Sequence, residues 1–210
     1  MSVLTLVLAS TSPRRYQILS LLNLSFLMVP PDSLEEVSEK RPPAQEALHQ
    51  AKRKAMSLAA RFPEAILVGS DTLINLDGIM IGKPRDHDDA RYILRRLRGR
   101  SHEVITAVAM FKGTKAFEAV ETARVHMRDC TYSELEAYVA TGDPLDKAGA
   151  YSIQGTGRGL VTGFDGDYLA VVGLPIRAVA EGLRQFGVEV TLDLDRLYRE
   201  RDFLNWRSFV

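Results

Sequence analysis

Two Asp-Gly pairs, Asp77-Gly78 and Asp165-Gly166, each stand between runs of apolar residues. An Asp-Gly pair in that setting marks a tight hairpin, and a hairpin can join only antiparallel strands. Elsewhere short apolar runs alternate with longer stretches of helical period, the pattern that builds parallel sheets. An α/β fold with a mixed sheet flanked by helices satisfies both signals. The expected strands lie at 3–8, 26–29, 65–68, 73–76 and 79–81, with Gly69-Ser70-Asp71-Thr72 interrupting the run between 65 and 76. Hairpins are expected for 104–111 with 117–127 and for 160–164 with 168–172.

Helices are expected at 13–22, opened by Ser12 and Pro13, and at 43–62, where Ala47, Ala51, Ala55, Leu58 and Phe62 share one face. Three more follow: one from Asp86 to Gly99, one opened by a capping box of Ser133 and Glu136, and one from Pro175 to Gly187. A length of 210 residues suits one domain or two closely joined lobes. The boundary is drawn at 1–190, followed by a charged extension, 191–210, whose Phe203, Leu204, Trp206 and Phe209 could dock on the body or on a partner.

Charge excludes some partners. Lysine plus arginine equals aspartate plus glutamate at 27 each, so no overall field draws the chain to nucleic acid or an anionic membrane. An anion must then be gripped by a local cluster. The apolar stretch 3–9 is short and has no basic residue ahead of it, unlike a secretory signal. No run approaches the ~18 apolar residues of a membrane span. A lone cysteine, Cys130, fits a reducing compartment, so a cytoplasmic protein is expected.

Several charges sit where structure alone would not place them. In the helix after Asp86 the acids lie at the start and Arg95, Arg96 and Arg98 at the end, as the helix dipole favours. The helix after Ser12 reverses this, with Arg14 and Arg15 in its first turn. Small residues, free amides and two arginines together suit a phosphate or carboxylate. Solvated arginines are the alternative. Asp71 interrupts an apolar run, and a buried carboxylate there needs a metal, a proton or hydrogen-bond donors; otherwise it is a turn aspartate capping its own backbone. Lys83, between Gly82 and Pro84, is held so that it can point a charge into a cleft, the alternative being a solvated lysine beside a turn. Lys54 lies at the margin of its helix's apolar stripe, where snorkelling is the default. Glu35 and Glu36 lie in an acidic loop whose default reading is a solvated surface; they are candidates because Mg²⁺, which accompanies a triphosphate, seeks hard oxygen ligands. His102, at the start of a strand, reads as structural or base-contacting.

Six separated blocks together resemble the Maf family of nucleotide pyrophosphatases. They are Leu8 to Arg15, Gly69 to Thr72, Gly82-Lys83-Pro84, Gly99 to His102 with Thr106, Asp146 to Gly155, and Gly166 to Tyr168 with Val172 to Pro175. The resemblance implies two lobes around a central cleft, as in ITPase-like folds, usually as a homodimer. It implies hydrolysis of a nucleoside triphosphate between the α and β phosphates with a divalent cation, Mg²⁺ or Mn²⁺. Asp71 would be the proton acceptor, with Glu35, or Glu36 after a one-residue shift, linked to the metal. Ser10, Ser12, Arg14, Arg15, Lys54 and Lys83 would serve the triphosphate. Arg14, Thr72 and Gln154 match the subgroup acting on dTTP and UTP. A 7-methyl-GTP pyrophosphatase and a nucleotide-binding cell-division regulator with little turnover are the rival readings.

Overall fold

The computed structural model describes residues 5–33 and 41–209. In chain order the elements begin with β1 (Leu6–Ala9), α1 (Pro13–Ser20), β2 (Leu27–Val29), α2 (Pro43–Met56), β3 (Ile66–Leu76) and β4 (Ile79–Ile81). Next come α3 (His87–Leu97), β5 (Ser101–Lys112), β6 (Lys115–Met127) and α4 (Tyr132–Ala140). Short 3₁₀ turns then lead to β7 (Val161–Asp165), α5 (Tyr168–Val172), α6 (Ile176–Gln185) and α7 (Leu194–Glu200).

The sheet runs β2-β1-β3-β5-β6-β7, with β4 paired to β3. It is mixed: β1 lies parallel to β2 and β3, whereas β4 and β7 are antiparallel to β3 and β6. No helix among the described residues is long and apolar enough to cross a membrane.

The chain divides into two compact units, Met1–Thr72 with Thr106–Glu121 and Gly173–Leu194, and Leu73–Ile105 with Thr122–Val172 and Asp195–Val210. In the first, Val7, Ala9, Val29, Ala55, Leu58, Ala65 and Leu67 form a buried core beneath α2. Gly69 lets α2 come against β3: a Cβ there would stand 2.1 Å from the Ala51 carbonyl oxygen. In the second, α3 and α4 bury Leu94, Leu97, Leu135 and Val139, and Arg91 Nε reaches Glu136 Oε2 at 2.7 Å.

Four expectations are corrected. β3 runs unbroken through Gly69-Ser70-Asp71-Thr72, because the polar groups of this stretch find partners within the fold and the backbone can stay extended. The arm expected as a strand at 168–172 is the helix α5. Asp167 Oδ1 accepts from the Leu169 and Ala170 amides and starts the helix, and a short apolar run by itself does not distinguish the two structures. The capping box of α4 is Thr131 with Glu134, one turn fragment earlier than Ser133 with Glu136. The helix from Pro43 stops at Met56, and turns carry the apolar stripe on to Phe62.

The extension does not stand apart. Trp206 is buried against Tyr168 and Tyr198 in the second unit, so its aromatic residues dock on the chain's own body. Cys130 is likewise buried and its thiol is pushed up by that burial, which makes it inert packing.

Candidate active site

The first unit builds a polar corner at the carboxyl end of β1. Parallel pairing sets Ala9 opposite Gly69, so the turn after β1 and the segment Ser70-Asp71-Thr72 occupy the same end of the sheet. Ligands of α/β sheets gather at such strand ends. Ser12 caps α1 by accepting from the Arg15 amide, and its own amide donates to Ser10 Oγ at 3.0 Å. Both serines are therefore locked in place. No acid lies in the first turn of α1, so its positive end is uncompensated by its own sequence.

The two arginines of that turn differ. Arg15 Nε donates to the Gly173 carbonyl at 2.8 Å, and Arg15 Nη2 donates to Thr72 Oγ1 at 3.3 Å. It ties α1 to the loop before α6 and to β3. Arg14 is half-buried on the same turn. Thr72 also shares a 3.0 Å hydrogen bond with Thr106, which is fully buried on β5. Ser70 Oγ lies 2.9 Å from the Ala107 carbonyl and 3.0 Å from that of Gly173. Gly173 has φ 131°, a conformation side chains rarely adopt.

Asp71 lies between Ser70 and Thr72 on β3 and is 7% exposed. Lys54, from the buried face of α2, places Nζ 2.6 Å from Asp71 Oδ1. Lys54 does not snorkel to solvent: it is 4% exposed, and the partner carboxylate offsets what burying its charge costs. Higher on the same helix face, Glu46 accepts from Gln50 Nε2 at 2.6 Å and from Arg41 Nη1 at 2.9 Å. Glu46, Gln50 and Lys54 thus form a buried polar line four residues apart.

Lys83 and Gln154 belong to the second unit. The Gly82 carbonyl accepts from the Gly149 amide at 2.9 Å, which fastens the Lys83 turn to the loop leading to Gln154. In that loop Tyr151 Oη lies 2.7 Å from His102 Nε2. Burial, helped by the charge of His126, lowers the His102 pKa to about 4, so the ring is neutral at pH 7 and structural.

Ser10, Ser12, Arg14, Arg15, Lys54, Asp71 and Thr72 therefore belong to the same unit, with Ser10, Ser12, Arg15 and Thr72 joined by hydrogen bonds and Lys54 bonded to Asp71. Glu35 and Glu36 lie outside the described residues. Among the described residues no group of three His, Cys, Asp or Glu side chains gathers to hold a metal. The sequence reading passed over Ser70 as a hydrogen-bonding member of the corner. Its only signal was a serine inside an apolar run, adjacent to an equally misplaced aspartate.

Residues 5–186 match the model of the Maf-like protein family. A "dTTP/UTP pyrophosphatase" of Symbiobacterium thermophilum is 40% identical over 88% of this chain and 95% of its own length. A Dictyoglomus turgidum protein of the same name is 44% identical over 87% of this chain and 96% of its own length. For one from Moorella thermoacetica the values are 46%, 88% and 96%.

Proposed function

The chain belongs to the Maf-like family, and on that premise we propose that it hydrolyses dTTP and UTP to the nucleoside monophosphate and pyrophosphate. The observation that carries the reading is the buried Lys54–Asp71 pair, on the strand whose neighbour β1 leads into a helix start that carries arginine instead of acid. A carboxylate kept out of water next to an anion-binding corner serves a reaction that moves a proton near phosphate. A protein that only bound nucleotide would gain nothing from that repulsive charge. The names of the relatives point to the same substrates.

In this mechanism the α1 amides, Ser12 and Arg14 grip the phosphates, and Arg15 holds Thr72 in position. Lys54 holds Asp71 in orientation through their 2.6 Å contact. Asp71 accepts a proton as water attacks the α-phosphorus; the new P–O bond forms, the α–β anhydride breaks, and pyrophosphate leaves. Lys83 and Gln154 carry the roles that the resemblance assigns them, phosphate contact and base recognition.

A divalent cation fits the described residues through a single carboxylate, Asp71, since Mg²⁺ is commonly held by one or two carboxylates together with substrate phosphates. Glu35 would be the second. When bound, the ion neutralises charge on the phosphate oxygens and the leaving pyrophosphate. An enzyme of the nucleotide pool acts in the cytoplasm, and the buried thiol of Cys130 fits that compartment.

The test is a panel of dTTP, UTP, CTP and 7-methyl-GTP with Mg²⁺ or Mn²⁺, detecting phosphate and pyrophosphate separately. Pyrophosphate from dTTP and UTP is expected, without orthophosphate. Preference for 7-methyl-GTP would overturn the base assignment, and tight binding without turnover would favour the regulator.

A further inference from the structure

The family match ends at residue 186, yet the chain beyond it reaches back to the residue proposed to read the base. Gln154 Nε2 donates to the Leu204 carbonyl at 3.2 Å. The next residue does the same: the Gly155 amide donates to Asn205 Oδ1 at 3.0 Å. Tyr168 Oη donates to the same Leu204 carbonyl at 2.6 Å. Gln154 is itself 6% exposed, so this geometry sets its orientation and solvent does not.

The segment that supplies Leu204 is firmly seated. Trp206 stacks on Tyr168 with ring centroids 5.1 Å apart and planes 13° apart, and Tyr198 meets it edge-on at 5.0 Å. Arg158 Nη2 donates to the Ser208 carbonyl at 2.6 Å, and its guanidinium lies 3.7 Å from the Phe209 ring centre.

We infer that the C-terminal segment is a specificity element, in which the Leu204 carbonyl, seated by Trp206, positions the Gln154 amide so that it presents its oxygen to the base. A carbonyl can only accept, so the amide must face Leu204 with its nitrogen. With Nε2 donating to Leu204, Oε1 is the amide atom that can accept from a ligand. Uracil and thymine carry an N3–H between two carbonyls and can donate to Oε1. Cytosine has a bare N3 lone pair there and repels it. The inference rests on the proposed reading of Gln154 as base-recognising, and Leu204 and Trp206 are positioning residues.

The experiment measures kcat and KM for UTP and CTP in the full chain. Trp206→Ala should lower the UTP over CTP preference about tenfold, the effect of one well-placed hydrogen bond. The change should fall on KM for UTP with kcat within about twofold, and Trp206→Phe, which keeps a stacked ring, should restore the preference. Trp206 is the sole tryptophan, so an Arg158→Ala/Phe209→Ala variant allows its emission to report undocking directly. Unchanged preference in a variant whose emission has shifted to that of a solvated indole would overturn the inference and leave Gln154 standing. Equal loss of rate on both nucleotides would mark a merely structural segment and overturn it as well. If Gln154→Ala keeps the wild-type preference, or the wild type shows none, the reading of Gln154 falls and the inference with it.

Discussion

Lys54 and Lys147 are both buried lysines bonded to aspartates, one in each compact unit, yet they are built in opposite ways. Lys54 meets Asp71 across 17 residues, and both side chains are nearly out of water, 5% and 10% exposed. Lys147 bonds Asp143, Asp146 and the Asp143 carbonyl, all within four residues, and its acids are 34% and 63% exposed. The second arrangement closes a local turn: its acids keep their hydration, and the lysine replaces water for a backbone carbonyl. The first holds a carboxylate in the middle of a strand, where a fold seeking only stability would put an aliphatic residue. The contrast separates a staple from a site. Both are lysine with aspartate, and solvent access together with chain separation distinguishes them.

Asp71→Asn probes that distinction with the largest effect. It keeps the shape and an acceptor for Lys54 but removes the proton acceptor, so kcat should fall by about 10³-fold while a circular-dichroism melt stays cooperative. Pyrophosphate release at the wild-type rate would reduce Asp71 to a second staple. Lys54→Met should cost stability, about 3–5 kcal/mol in urea unfolding, because it strands a buried carboxylate. A loss below about 1 kcal/mol would mean that water replaces the lysine and that the pair is no more enclosed than the Lys147 cluster.

The loop stapled by Lys147 continues to Tyr151, which bonds His102 on β5, and this gives a pH test of the second region. Above pH 6.5 His102 is neutral whether the chain is folded or unfolded. Between 6.5 and about 4 only the unfolded chain takes up the proton, so stability falls as pH falls, by roughly 3 kcal/mol over the window. Urea midpoints at pH 7 and pH 5 should differ in the wild type, and the difference should shrink in His102→Gln. An identical pH slope in the variant would assign the acid sensitivity elsewhere. The smallest effect is expected for Lys147→Met, about 1–2 kcal/mol of stability, with kcat per folded molecule within about threefold. A collapse of kcat to the Asp71→Asn level would erase the contrast between staple and site.

Much of this was legible before any coordinates. The Asp77-Gly78 turn, Ser12 with Pro13 at the start of α1 and the mixed character of the sheet all follow from contacts a few residues apart. Arg14 and Arg15 stood out because they defy the dipole of their own helix, and Asp71 because it defies the pattern of its own strand. Other features were misread where the deciding partner lay far along the chain. Lys54 looked like a snorkelling residue because nothing within its helix predicts Asp71. Residues 69–72 looked like a break because Ser70 and Thr72 find their partners at Ala107, Thr106 and Gly173. At 168–172 the apolar run fitted either period, and Asp167 decided for helix.

The amino-acid order alone determined which groups are chemically out of place, since capping, dipole and turn preferences act over one helical turn or less. The fold decided which of those groups meet. Parallel pairing of β1 with β3 brought the arginine-bearing turn to the strand that carries Asp71, and α2 delivered Lys54 to it. Trp206 returned the last segment to Gln154. Each of these contacts depends on a buried polar or aromatic group being satisfied from far along the chain, and only the folded backbone sets those distances.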